Sequence, residues 1–269
     1  MLEILNSQHQ GLKFIETKVS SDFNEPKIRE NKDAKILLDA DTAIVLACYD
    51  TTEFDEAFSN FVSLLESIKK YCNSNDVTIC VKNELNFRYL IDASYKATRK
   101  KHHAEKEIPF IKEVREHLIK EYRNVLSVPL FEADDLVYAL YRYYSSKNID
   151  FVVSSIDKDV LNSIEGEHYN YKKNAWHKTS KEMALKFKYI QCLSGDSADN
   201  IKGLPKVGPK TAEKLLSDCA LDEVSLRKRV VSIYKEYGFD EKAFLQTLRL
   251  VSLEQCIKFN KQFALILEF

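Results

Sequence analysis

The chain lacks the marks of a membrane-spanning, secreted or disulfide-stapled protein. No apolar run approaches the ~20 residues needed to cross a bilayer. The opening MLEILNSQHQ has no basic start followed by an apolar stretch, so a secretory leader is not expected. The six cysteines, at 48, 72, 80, 192, 219 and 256, form no CxxC pair, and no histidine stands at zinc-ligand spacing from them. Most sit in apolar runs such as Ile79-Cys80-Val81, as expected of reduced, buried thiols in a cytoplasmic protein. Charge of one sign is also missing. Forty basic residues nearly balance 41 acidic ones, leaving a net charge of −1, so the placement of charge says more than its sum. Repeats and low-complexity tracts are absent. Glycine is scarce at six residues, yet three of these fall within 195–208, which singles out one loop region.

What is present suffices for one large domain, or a main domain with a smaller lobe: 269 residues, 45% of them hydrophobic. After a polar lead-in over 1–33, the run KILLD (35–39) predicts a buried strand ending in a carboxylate. Apolar residues at helical spacing predict a helix over 54–71, followed by a strand at 76–81. Residues 84–106 are basic, with Phe87, Tyr89 and Tyr95 interleaved. A helix is expected over 110–122, a strand at 124–128, a helix over 132–144, a strand at 149–153 and a short hairpin around Gly166 and Trp176. From 181 onward the pattern is mainly helical. Alternating strands and helices imply an α/β fold with a mostly parallel sheet flanked by helices, and the tail from 181 would be a second lobe.

Acids stand where such a sheet places its ligands, beyond the carboxyl ends of the strands. Asp39 ends KILLD, with Asp41 close behind; Asp157 and Asp159 follow a strand in SSIDKD; Glu132, Asp134 and Asp135 open a helix in FEADDL. Converging carboxylates repel one another, and bound cations relieve that repulsion. Hard oxygen ligands favour Mg²⁺ or Mn²⁺ over zinc. Two such ions can activate a water and stabilise the leaving oxygen of a phosphodiester. A fourth group, Asp196 and Asp199, precedes GLPKVG, where Gly203 and Gly208 frame a tight turn. Such a turn offers backbone N–H groups to a phosphate, and Lys206 and Lys210 add positive charge. No histidine is arranged with serine or cysteine in a way that compels covalent catalysis.

The runs EADDLV (132–137), SSIDKD (154–159) and GDSADNIKGLPKVGPKTA (195–212) together resemble the 5′-nuclease superfamily of flap endonucleases, DNA polymerase I 5′-nuclease domains and phage 5′–3′ exonucleases. The phage-encoded members are the most similar in size and in the compact arch segment. The resemblance implies a PIN-like α/β core over 1–180 with a helical arch at about 84–115. It also implies a helical lobe over 181–269 carrying a helix–hairpin–helix motif at about 195–216. Two divalent ions are implied. Asp39, Glu132 and Asp134 would hold the first; Asp157, Asp159, Asp196 and Asp199 the second; Asp135 matches a further site acid. Asp41 is expected in a supporting or turn role. SYKATRKK matches the arch motif, so Lys96 and Arg99 would contact the scissile phosphate. Arg88, Lys100 and Lys101 would contact DNA from the arch, as would Gly203, Lys206, Gly208, Lys210 and Thr211 from the turn; Tyr95 would either stack on a base or pack structurally. His102, His103 and Lys106 would add electrostatic steering. A K⁺ ion is implied near 203–208. The implied substrate is DNA with 5′ flaps, overhangs or free ends, extending to RNA–DNA hybrids, cut by a monomeric enzyme to leave a 5′-phosphate and a 3′-hydroxyl.

One position departs from the family pattern. VKNELNFR carries Asn83 where relatives have an aspartate shortly before an aromatic–Arg pair. Natural tolerance, an introduced substitution, and a register shift that uses Glu84 all account for it. A structure-specific DNA-binding protein with a weakened site is therefore the alternative to an enzyme, and a small PIN-class ribonuclease is a third reading. Asn83→Asp is expected to preserve or raise Mg²⁺-dependent cleavage. An unchanged rate and an unchanged metal requirement in a titration of the variant would deny this position a part in the site.

Overall fold

The structure is a computed structural model; it describes residues 27–98 and 108–253, with the backbone of 257–259 and 265–267. Six strands form the main sheet: β1 (Lys35–Asp39), β2 (Val77–Cys80), β3 (Val125–Leu126), β4 (Phe151–Ser154), β5 (Gly166–Asn170) and β6 (Ala175–Thr179). Their order is β3-β2-β1-β4-β5-β6, and every pairing is parallel except that of β5 with β6. β1 lies between β2 and β4, covered on both faces, which explains a strand without polar alternation. Its residues still divide by face. Ile36 and Leu38 join one apolar cluster with Ile79 and Val152, while Leu37 joins another with Cys80 and Val153.

Helices α1 (Ala40–Cys48), α2 (Phe54–Cys72), α3 (Arg88–Ile91), α4 (Ile111–Glu121) and α5 (Ala133–Ser146) complete much of the two layers. The first cluster is covered by α1, α2 and α4, the second by α5. On α2, Ala57, Phe61, Leu65 and Ile68 form the buried stripe expected from their spacing, and Asn73 ends the helix in a left-handed conformation. The short α6 (Lys158–Ser163) follows β4 directly.

Helices α7 (Lys181–Ser194), α8 (Pro209–Leu215), α9 (Glu223–Glu236) and α10 (Glu241–Val251) pack around a third cluster containing Tyr189, Leu193, Val230, Ile233 and Phe244. Their starts are capped locally. Ser180 accepts from Met183 N–H, Asp222 from Ser225 N–H and Asp240 from Ala243 N–H. Between α7 and α8 lies a two-strand hairpin, β7 (Gly195–Asp196) and β8 (Ile201–Lys202). A further antiparallel pair, β9 (Ile257–Phe259) and β10 (Leu265–Leu267), ends the described backbone. Cys48, Cys72, Cys80 and Cys192 are buried free thiols, as expected; Cys256 lies outside the described residues.

One buried group opposes the fold in acid. His168 on β5 is fully buried; its Nε2 lies 2.8 Å from Ile164 O, and its Nδ1 has no partner. Burial pushes its pKa down from 6.5 to about 4. Between those values the unfolded chain binds a proton that the folded chain refuses. This residue's contribution is therefore fully present above pH 6.5 and lost as pH falls toward 4. The stability difference between wild type and His168→Gln should shrink over that window by about 2–3 kcal/mol. Urea unfolding of both proteins across the range checks this, and a pH-independent difference would refute it.

Candidate metal centre

The carboxyl edge of the sheet gathers acids from separate stretches of chain. Asp39, at the end of β1, is buried, and its Oδ2 accepts from Ser155 Oγ at 2.8 Å, just past β4. Glu132, Asp134 and Asp135 open α5, with ligand-capable oxygens of all three within 4.8 Å of one another. Asp157 caps α6 and accepts from Asp159 N–H at 2.7 Å. Asp159 Oδ1 in turn accepts from Gln191 Nε2 at 2.8 Å. Asp196 lies on β7, buried, and accepts from Ala198 N–H at 2.8 Å. Asp199 follows in the β7–β8 loop.

These groups feel one another's charge. Burial, then Asp157 and Asp41, push Asp39 up to about 8. Burial, then Asp157, with smaller contributions from Asp196 and Asp199, push Asp159 up to about 8. Burial with Asp135 and Glu132 raises Asp134 well above the usual carboxylate range. Glu132 runs the other way. Burial would raise it, but the charges of Lys96 and Arg88 outweigh burial and hold it at about 2. Buried, mutually repelling carboxylates that nearby cations compensate only in part are the donor set a hard divalent cation fits. Glu132 and Asp134 lie toward one end, and Asp157, Asp159, Asp196 and Asp199 toward the other, with Asp39 beside Asp157.

Lys96 stands between the two ends. Its Nζ pairs with Glu132 Oε1 and lies 3.7 Å from Asp199 Oδ2. Its backbone is left-handed at φ 54°, unusual for a residue with a side chain, and Lys96 N–H donates to Asp199 O at 2.8 Å. Asn200 Nδ2 donates to Ser94 O at 2.7 Å, and the Tyr95 hydroxyl lies 3.0 Å from Asp199 Oδ2 and 2.8 Å from Glu132 Oε2. Residues 94–96 are thereby clamped onto the β7–β8 loop.

The model of the 5′-3′ exonuclease N-terminal resolvase-like domain matches residues 39–190, more than half of the chain. The chain belongs to this 5′-nuclease family. Among curated relatives, DNA polymerase I of Lactococcus lactis subsp. lactis is 28% identical over 70% of the chain and 24% of its own length. A 5′-3′ exonuclease of Buchnera aphidicola is 29% identical over 67% of the chain and 65% of its own length. The chain thus spans about a quarter of that polymerase and somewhat under two thirds of that exonuclease. In fold it is similar to a bacteriophage T5 flap endonuclease solved with DNA and metal ions. The TM-score is 0.64 at 16% identity, covering 82% of this chain and 89% of that one. Zinc-bound T5 5′-exonuclease is equally similar, with a TM-score of 0.64.

Arg88, expected to touch DNA, and Tyr95, expected either to stack on a base or to pack structurally, are both buried. Arg88 is 1% exposed, with its guanidinium bound to Asp135, Glu132 and two backbone carbonyls, so no phosphate can reach it. Tyr95 is 3% exposed, its ring packed in the helical cluster and its hydroxyl turned to the acids, which leaves no face for a base. Asp135 is buried, and Arg88 engages both its oxygens. Asn83 Nδ2 lies 3.4 Å from Ser127 Oγ, and Glu84 is exposed. Asp41 accepts from Lys82 N–H at 3.1 Å and pairs with Arg115 at 3.2 Å, a supporting contact whose cation the sequence does not flag. Ser155 and Gln191 are likewise missed; only the position of Ser155 within SSIDKD hints at a part. Lys206, Lys210 and Thr211 are exposed together on the turn and the start of α8. Arg99, Lys100, Lys101, His102, His103 and Lys106 lie outside the described residues.

Of the two glycines framing the turn, only Gly203 is sterically required. A Cβ there would fall 2.1 Å from Ser194 C, whereas one at Gly208 meets nothing within 4 Å. Gly203→Ala should therefore pry the hairpin from the end of α7 and cost about 3 kcal/mol or more. Gly208→Ala should cost only the ~1 kcal/mol by which alanine is the poorer helix cap. Denaturant unfolding of the two variants checks this; equal losses would contradict it.

Proposed function

We propose that the chain is a metal-dependent 5′–3′ exonuclease and structure-specific flap endonuclease that hydrolyses DNA phosphodiesters, with RNA primers as further substrates, in replication or repair. The observation that carries this reading is the gathering of Asp39, Glu132, Asp134, Asp157, Asp159, Asp196 and Asp199 at the carboxyl edge of the sheet, with Lys96 paired to Glu132 and lying beside Asp199. Asp39, Glu132 and Asp134 would hold one divalent cation, and the four aspartates from Asp157 to Asp199 a second. Asp135 would act with the first group through its contacts rather than by a free oxygen of its own. When bound, two Mg²⁺ or Mn²⁺ ions supply charge neutralisation and activation of a water for in-line attack.

The protein's own groups do the rest. Lys96, held by its backbone bond to Asp199, would offer its ammonium to the scissile phosphate and counter charge developing on the oxygens. Arg99 would act beside it. Lys206, Lys210 and Thr211, with the amides at Gly208, would grip the duplex by its phosphates without reading sequence. Lys100 and Lys101 would guide the 5′ strand, and a K⁺ ion would sit near 203–208. The protein would work as a monomer in the cytoplasm. Among the described residues no helix is long and apolar enough to cross a membrane.

Asn83 supports a second reading, a DNA-binding protein whose first cation is weakly held. Titrating Mg²⁺ and Mn²⁺ against a 5′-labelled flap separates the two. Cleavage with either metal is expected; tight binding without cleavage would favour the second reading. Lys96→Ala should lower turnover about 10²–10³-fold while leaving duplex affinity nearly unchanged, and that affinity should fall steeply with salt. Equal losses of turnover and affinity would make Lys96 a binding residue only.

A further inference from the structure

We propose that Arg88 is a positioning residue that sets the geometry of Glu132 and ties it to the end of the last helix. This inference rests on the proposed metal-dependent nuclease reading. All five guanidinium N–H groups have partners. Nη1 donates to Asp135 Oδ2 at 2.8 Å and Glu132 Oε2 at 3.4 Å; Nη2 donates to Asp135 Oδ1 at 2.7 Å and Ser252 O at 3.2 Å; Nε donates to Leu250 O at 2.9 Å. The group is 1% exposed and sits over the Phe87 ring at 4.6 Å.

Three features make this a device for the site rather than a filler of the core. The Arg88–Asp135 fork fixes Asp135, and Asp135 Oδ2 accepts Glu132 N–H at 3.1 Å, so the backbone of the proposed ligand is held as well as its side chain. Arg88 and Tyr95 both reach Glu132 Oε2, while Lys96 takes Oε1, so the carboxylate is oriented from two sides. The loop bearing Arg88 is itself anchored to the strand-end segment before α5, through Phe87 N–H to Leu130 O at 2.9 Å and Asn83 N–H to Phe131 O at 3.3 Å. A lysine cannot replace this fork, because one ammonium cannot span a carboxylate and two carbonyls in fixed directions.

Mn²⁺ binding to the full chain without DNA, followed by calorimetry and electron paramagnetic resonance, tests this together with duplex affinity in EDTA. Arg88→Lys should weaken Mn²⁺ binding about tenfold or more and leave duplex affinity within about twofold. Mn²⁺ affinity within twofold of wild type would make Arg88 a structural cation only, and a matching loss of duplex affinity would make it a DNA contact. Should Arg88→Lys not fold, wild type still decides. Saturating Mn²⁺ should slow amide hydrogen exchange at 250–253, and unchanged exchange there overturns the tie. A wild type that binds Mn²⁺ but cuts no flap defeats the nuclease reading while leaving the Arg88 result standing; one that binds no Mn²⁺ defeats both.

Discussion

Mutual repulsion among half-buried carboxylates is the constraint around which the rest of this molecule is arranged. Asp39 and Asp159 are both pushed up to about 8, which shows how poorly the protein alone compensates them. A parallel sheet brings such groups together without long loops, because every strand that contributes ends at the same edge. The backbone therefore supplies proximity cheaply, and charge has to be managed by what surrounds it.

The surroundings manage it unequally. Toward α5, two cations from one stretch of chain, Arg88 and Lys96, hold Glu132 ionised. Toward α6, Lys158 and the Gln191 amide support Asp196 and Asp159 but leave Asp159 raised. Residues 88–96 thus belong to the acid cluster as much as to the segment leading to the arch. The clamp of Ser94, Tyr95 and Lys96 onto Asp199 and Asn200 makes the β7–β8 hairpin part of the same unit.

Much of this was legible in the sequence. KILLD read as a buried strand because a strand covered on both faces needs no polar alternation, and α2 read as a helix because its stripe repeats at helical spacing. The acid runs were legible because each follows a strand or opens a helix. The helix Ala40–Cys48 escapes such reading: it is apolar nearly all round, so no period marks it. Arg88 and Tyr95 mislead for a different reason. Basic and aromatic residues in one polar segment suggest a phosphate-binding surface, yet Arg88 is drawn inward by Asp135, Leu250 and Ser252, and Tyr95 by Glu132 and Asp199, all far along the chain. Pairing across such separations leaves no local trace.

The two ends of the main sheet have a consequence for how the protein behaves in concentrated solution. β3 contributes only two residues, and β6 turns back antiparallel. The Trp176 indole on β6 donates to Lys27 O at 2.7 Å, tying the chain before β1 to that strand. A margin as short as β3 offers little template for another copy to add a strand. The same sheet that concentrates carboxylates at its strand tips thus guards its β3 flank against edge-to-edge self-association.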